Sequence, residues 1–272
     1  MLTASCQNYG KLKLKDQLPK TLKEISGIAI VKNKVIAIND SGNAASLWIY
    51  EPNEPLVELR INNAINNDWE DLAYDATSDV LYIGDFGNND NERKDLTIYK
   101  VSLKNIDLSK SQNLESTTIT FYYDDQTEYP PKKKELLYDC EAFIVHHDQF
   151  YLFTRNRSND FNGKTTVYRL PVNASNKKAI KLTEIEICND DKDCQVTGAA
   201  ISSDNTIALL TSDKVFTITD YPLDFSDFKI DRHDLDHYSQ KESIDFITTS
   251  ELFITDERDG KTGGNLYKFS IN

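Results

Sequence analysis

The chain has 272 residues, enough for one large domain or two small ones, with 39% apolar and 10% aromatic content. Lysine and arginine number 31 against 44 acids, a formal charge of −13 that repels a phosphate backbone and argues against a nucleic-acid partner. No apolar run reaches the about 18 residues that would mark a spanning helix.

Residues 1–10 are expected to form a tether. Within them Leu2-Thr3-Ala4-Ser5-Cys6 resembles the lipobox of bacterial lipoproteins, in which the cysteine takes the lipid. That resemblance implies an acyl anchor on Cys6 as the membrane link. It also implies a periplasmic or surface lipoprotein of the bacterial cell envelope. Cys188 and Cys194 would then be able to close a short loop by a disulfide in an oxidising compartment. The acids inside that loop lack the glycine and terminal glutamate of an EF-hand.

From residue 11 the whole remaining chain reads as one domain. Lys11-Leu12-Lys13-Leu14-Lys15 alternates with period two, as a strand with one wet face does. Five units follow, each opened by a polar or acidic element ahead of an apolar strand. The openings are Glu24-Ile25-Ser26, Asp68-Trp69-Glu70, Asp139-Cys140-Glu141, Val196-Thr197 and Glu242-Ser243. In the first unit three more strands follow, at Val35–Ile38, Leu47–Tyr50 and Val57–Ile61, with a turn at Asn39-Asp40-Ser41-Gly42. The second unit repeats this through Val80–Ile83, Leu96–Tyr99 and Thr118–Tyr122. The third has Phe150–Phe153, Thr166–Leu170 and 180–187. The fourth has Thr206–Leu210, Val215–Ile218 and Phe228–Ile230. The fifth stops after Leu252–Thr255 and Leu266–Phe269. Gly42, Gly87 and Gly260 read as turn glycines with positive φ.

The fifth unit is one strand short and the chain begins with one spare strand. Adding residues 11–15 to the last unit closes the ring and covers a bare edge. Four-stranded repeats of roughly 45–70 residues with this offset predict an all-β, five-bladed β-propeller with antiparallel blades. A six-bladed alternative needs hidden strands in residues 102–117 or 124–136, which are polar and broken. A monomer is expected.

In a propeller the first strand of each blade lines the channel, and the second returns to the same face. Topology therefore puts Ser26, Glu70, Glu141, Thr197 and Glu242 around one channel mouth. Asp40, Asp85, Arg155, Asp213 and Asp256 fall outside them. Converging glutamates repel one another unless protonated or bridged by a cation. Calcium, which takes six to eight oxygens in flexible geometry, suits carboxylates and hydroxyls. Zinc does not, because none of His146, His147, His233 and His237 lies at an opening. The bland alternative is that these polar residues only bond the neighbouring blade, and that Trp69 packs between blades.

The openings resemble those of the calcium-activated nucleotidase (apyrase) family, a five-bladed propeller with calcium on its axis. Its Glu-Leu-Ser, Glu-Trp-Leu-Ala, Glu-Ser-Ala and Glu-Gly-Ile-Glu-Phe segments match Glu24-Ile25-Ser26, Glu70-Asp71-Leu72-Ala73, Glu141-Ala142 and Glu242-Ser243-Ile244-Asp245-Phe246. The resemblance implies calcium ligands at Ser26, Glu70, Glu141, Thr197 and Glu242. It matches Arg155 and Arg157 to the family's paired arginines. Gly27 stands where the family carries an acid, Asn88 where it carries a lysine, and the blade-one turn lacks its arginine. The blade wording also resembles uncharacterised bacterial propeller proteins.

Two function classes follow. One is a lipid-anchored module that binds a small-molecule or protein ligand on the channel face around a structural cation. The other is a calcium-dependent phosphohydrolase, with Asp40 or Asp85 orienting water and Arg155 and Arg157 stabilising charge. A glycoside hydrolase using two rim carboxylates is a third, weaker option.

Overall fold

A computed structural model describes residues 8–173, 178–190 and 192–271. The Cys6 assignment lies outside them. Strand β1 (Lys13–Gln17) is followed by β2 (Ile25–Val31), β3 (Lys34–Asn39), β4 (Ser46–Tyr50) and β5 (Val57–Ile61). Next come β6 (Trp69–Asp75), β7 (Val80–Asp85), β8 (Thr97–Ser102), β9 (Gln112–Leu114), β10 (Ser116–Thr120) and β11 (Tyr122–Tyr123). Then follow β12 (Asp139–His146), β13 (Gln149–Arg155), β14 (Lys164–Pro171) and β15 (Lys178–Glu186). Blade four holds β16 (Gly198–Ile201), β17 (Ile207–Leu210), β18 (Lys214–Thr219) and β19 (Lys229–Asp234). The chain ends with β20 (Lys241–Phe246), β21 (Glu251–Asp256), the small hairpin β22 (Arg258–Asp259) and β23 (Thr262–Gly263), and β24 (Asn265–Ser270).

These strands form a five-bladed propeller. β2 to β5 make blade one, β6-β7-β8-β10 blade two, β12 to β15 blade three and β16 to β19 blade four. Blade five has the order β20-β21-β24-β1, so the N-terminal strand closes the ring. That strand runs from Lys13 to Gln17, two residues later than the sequence pattern suggests. Its partners are Lys268, Tyr267, Leu266 and Asn265. Ordered packing also begins before residue 11. Tyr9 lies against Tyr267 at 5.5 Å and His237 at 5.6 Å, and the Lys11 N–H donates to the Leu235 carbonyl at 2.8 Å. Residues 8–10 are therefore part of the propeller rather than of a tether.

The polar stretch 102–117 does contain a strand, but no sixth blade. β9 leaves blade two and adds in parallel to β5 of blade one, with Leu114 opposite Ile61. β11 does the same on the other side, pairing in parallel with β15 of blade three. Blade two is thus hydrogen-bonded by its connections to both neighbours. The described residues include no helix long and apolar enough to cross a membrane.

The core is five layers, one between each pair of blades. On β3, Ile36 and Ile38 face blade two while Val35 and Ala37 face blade five. On β13, Phe150 and Leu152 face blade two while Tyr151 and Phe153 face blade four. A strand buried on both faces reads as an unbroken apolar run. That is why the second strand of each blade stands out in the sequence. Trp69 has no exposed surface and packs in the layer between blades one and two.

Candidate functional site

The inner strands share one irregularity. Ile25 pairs with Asn39 and Gly27 with Ile38, which leaves Ser26 as an extra residue. The same slip leaves Glu70 between Trp69 and Asp71, Glu141 between Cys140 and Ala142, and Glu242 between Lys241 and Ser243. In blade four the Thr197 N–H bonds the Leu210 carbonyl at 2.9 Å, and Gly198 pairs with that same residue. A β-bulge bends a strand and re-aims the extra side chain. Used once per blade, it turns one residue from each of five strands into the channel mouth. Ser26, Glu70, Glu141, Thr197 and Glu242 all line a single cavity of about 850 Å³ there.

The five do not behave alike. The Ser26 hydroxyl donates to the Trp69 carbonyl and the Thr197 hydroxyl to the Lys241 carbonyl, each at 2.7 Å. Both acceptors immediately precede the bulged residue of the next blade, so these hydroxyls stitch blade one to two and four to five. Each oxygen still has lone pairs to offer a cation. Glu141 takes the Arg157 Nη2 at 2.6 Å and lies 3.3 Å from the Arg155 Nη1. Glu70 and Glu242 have no salt bridge among the described residues.

Beside Glu70 the acids gather. One carboxylate oxygen from each of Asp40, Asp68 and Glu70 lies within 4.8 Å of the others, a group that could hold a metal ion. Burial, then the charges of Glu141 and Asp68, push the Glu70 carboxyl well above its usual range. Burial and the neighbouring Asp40 raise Asp68 to about 7. Burial raises Glu141 to about 7 even though Arg155 opposes it, and Glu242 is raised well above the ordinary value by burial and by Glu141. Glu257 at the same mouth is also held at about 7, first by burial and then by Asp40.

Gly87 makes room for this cluster. A Cβ there would lie 2.0 Å from Glu70 Oε1 and 2.4 Å from Asp68 Oδ2. Gly42 and Gly260 have the positive φ expected of turn glycines, 78° and 57°. Gly87 does not, and its role is close approach instead. Gly27 is similar: a Cβ would meet the Asp71 Cα at 2.9 Å. The position at which the nucleotidases carry an acid therefore cannot hold a side chain here without a shift of backbone.

The catalytic candidates separate. Asp40 is in the acidic cluster. Arg155 and Arg157 line the same mouth from blade three and are engaged. Arg157 Nε binds Asp139 at 2.6 Å, and Arg155 Nε binds the Gln195 Oε1 at 2.5 Å. Asp85 is not at the mouth. It has no exposed surface, pairs with Arg93 at 3.0 Å and accepts the Asp68 N–H at 3.0 Å. Its position at the end of β7 is the expected one, but its carboxylate fixes the opening of blade two. Asp256 is likewise buried, accepting the Asn265 N–H and the Tyr267 hydroxyl, each at 2.8 Å, and Asp213 pairs with Lys214. Cys188 and Cys194 are joined by a disulfide, and Gln195 immediately after it reaches the mouth.

The roles of Arg93, Asp139, Gly87 and Glu257 escaped the sequence reading. Arg93 sits in a polar stretch with no periodicity. Asp139 looked like part of a generic opening, although an acid two residues ahead of Glu141 and two arginines spaced 155 and 157 form a readable pair. Glu257 had only its place after Asp256 to mark it.

No protein-family model matches the chain, and no curated protein matches it in sequence. Solved structures do. A glucose dehydrogenase aligns with a TM-score of 0.53 at 9% identity, over 94% of this chain and 99% of that one. The WD40 β-propeller domain of Doa1 gives 0.47 at 11% identity, over 94% and 96%. The calcium-binding protein regucalcin from Agrobacterium tumefaciens gives 0.48 at 13% identity, over 96% and 94%. At such identities the likeness reaches the β-propeller fold and not the nucleotidase family.

Proposed function

We infer that this chain is an extracytoplasmic binding module. Its channel mouth would hold a calcium ion beside Asp40, Asp68 and Glu70 and present a ligand face around it. The acidic group of three carboxylates carries the reading. Matching the guanidinium groups to their nearest acids uses Arg93 on Asp85, Arg157 on Asp139 and Arg155 on Glu141. Asp40, Asp68, Glu70, Glu242 and Glu257 keep no salt bridge among the described residues. Half-buried carboxylates gathered without counter-charge favour a cation or protons. The donors are all oxygen, which suits calcium better than a transition metal. Ser26, whose hydroxyl meets the Trp69 carbonyl beside Glu70, can add a donor, and the absence of a side chain at Gly87 leaves the carboxylates room to gather. The disulfide is in keeping with an oxidising compartment, and lipid attachment at Cys6 belongs to the same proposal.

Binding is favoured over phosphoryl hydrolysis by the arginines. A phosphate clamp needs free guanidinium donors. Arg157 spends its donors on Asp139 and Glu141 at 2.6 Å each.

The test is a thermal melt of metal-stripped protein against added calcium chloride. A rise in Tm that disappears in Glu70→Gln supports the site, and no shift overturns it. Phosphate release from a nucleoside triphosphate, abolished in Arg155→Ala, would replace the binding reading by the hydrolase.

A further inference from the structure

The channel has a second end. Where the inner strands finish, a separate cavity of about 830 Å³ is walled by Ile30, Leu72, Phe143, Ile144, Ala200 and Phe246. Asp71 separates it from the acidic mouth. That carboxylate has no exposed surface and accepts the Leu72 N–H at 2.8 Å and the Phe143 N–H at 3.0 Å, tying blade two to blade three across the channel. The second cavity is of a size ordinary for small-molecule sites.

Of the three acids that line it, one is held by two blades. Asp245, on the inner strand of blade five, lines the cavity. Its Oδ2 accepts the Ile30 N–H of blade one at 2.6 Å and its Oδ1 accepts the Phe246 N–H at 2.8 Å. Two backbone donors on different blades fix its direction and leave it further lone pairs. Among the described residues it has no salt bridge. The other charged groups of the cavity do not supply one. Lys32 pairs with Asp79 at 3.0 Å. Asp75 is taken up by Thr77 and Ser78, and Asp148 adds a further acid at the lip. His146 and His147 meet edge to face at 4.1 Å, and burial holds His146 toward its neutral form.

An oriented acid beside apolar side chains, without a counter-ion, is complementary to an ammonium on an apolar body. The cation restores charge balance, and the body lies against the half-buried Ile30, Ile201 and Phe246. We propose that this second cavity binds a small organic amine, with Asp245 as its counter-ion. The acidic mouth takes no part in it.

Benzylamine is a suitable probe, and benzyl alcohol a neutral molecule of the same shape. Calorimetric titrations of the full chain at about pH 8 should show benzylamine binding at least about ten-fold more tightly than the alcohol, the difference a partly buried ion pair provides. Asp245→Asn should erase that preference. Because the substitution also touches the tie between blades five and one, a second variant is needed. Ala76 lies exposed at the cavity lip, and Ala76→Trp narrows the entrance without contact to Asp245. It should weaken benzylamine about ten-fold at unchanged Tm. Absence of benzylamine binding, equal affinity for the alcohol, or full binding by Ala76→Trp each overturns the proposal. Should Asp245→Asn unfold, the alcohol comparison and Ala76→Trp decide it.

Discussion

Gly87 lies directly against Glu70, so close that a methyl group there would sit 2.0 Å from the carboxylate oxygen. The glycine belongs to the turn after β7, and the glutamate is the bulged residue of β6, its hydrogen-bonded neighbour. One local choice, the absence of a side chain, thus sets how closely the carboxylates can gather. Gly87→Ala is expected to cost about 1–3 kcal/mol through overpacking. It should also push Glu70 away from Asp68 and abolish the rise of Tm with calcium. Urea denaturation with and without calcium checks both effects. A variant that keeps the calcium response would show that the cluster is not the site.

Arg157 bridges Asp139 and Glu141, and the two acids differ in what they lose without it. Asp139 is fully buried and, without Arg157, would keep the Asn88 N–H at 2.6 Å but no cation among the described residues. Arg157→Ala therefore leaves a buried charge unpaired, at a cost of roughly 3–5 kcal/mol. Arg157→Lys keeps the charge but cannot reach both acids in the same plane, and should recover only part of that loss. By contrast, Lys229→Ala breaks a pair that is 74% and 65% exposed, and is expected to leave stability nearly unchanged. Chemical denaturation of the three variants side by side measures the ranking.

Stability should fall as pH rises toward neutrality. Asp68, Glu141 and Glu257 are each held at about 7, above the ordinary values of 3.8 and 4.5. Between about pH 4 and pH 7 the folded protein binds more protons than the unfolded chain, so unfolding becomes easier with increasing pH and then levels off. Calcium competes with those protons, so its stabilisation should grow over the same window. Thermal melts at several pH values, with calcium and with EDTA, give both curves. A Tm that climbs from pH 5 to pH 7 in EDTA would contradict the uncompensated charge at the mouth.

The blades were legible because burial on two faces leaves continuous apolar runs such as Val35-Ile36-Ala37-Ile38 and Phe150-Tyr151-Leu152-Phe153. The ring closure was legible because one unit lacked a strand and the N-terminus had one to spare. The mouth could be read to one residue per blade, since Glu70, Glu141 and Glu242 repeat at the same point of three units. What stayed hidden depends on contacts between segments. β9 consists of Gln112, Asn113 and Leu114, too polar to mark a strand, and it exists because β5 offers an edge. The pairing of Arg93 with Asp85 took Asp85 away from the mouth, and only the fold brings them together. Asp71 and Asp245 read as ordinary acids of the blade openings, yet they accept backbone N–H groups of neighbouring blades.

Ring closure itself makes the last prediction. β1 is the outer strand of blade five, and three further contacts hold it or the residues beside it. Leu12 is buried in the layer between blades four and five, the Tyr50 hydroxyl of blade one donates to Asp16, and Arg258 Nη2 donates to the Leu18 carbonyl at 2.8 Å. Deleting residues 1–17 removes all but the last. Loss of Leu12 burial alone costs about 1.5–3 kcal/mol, and four ladder positions go with it. β24 becomes a bare edge with Tyr267 exposed beside it, a template for pairing with another chain. The truncated protein should therefore melt at lower temperature, lose its sharp transition and form larger species on size exclusion. A synthetic peptide spanning residues 8–19 should restore the monomer by adding the missing strand in trans. A truncated chain that stays monomeric with an unchanged Tm would mean that the blades hold together without the closing strand.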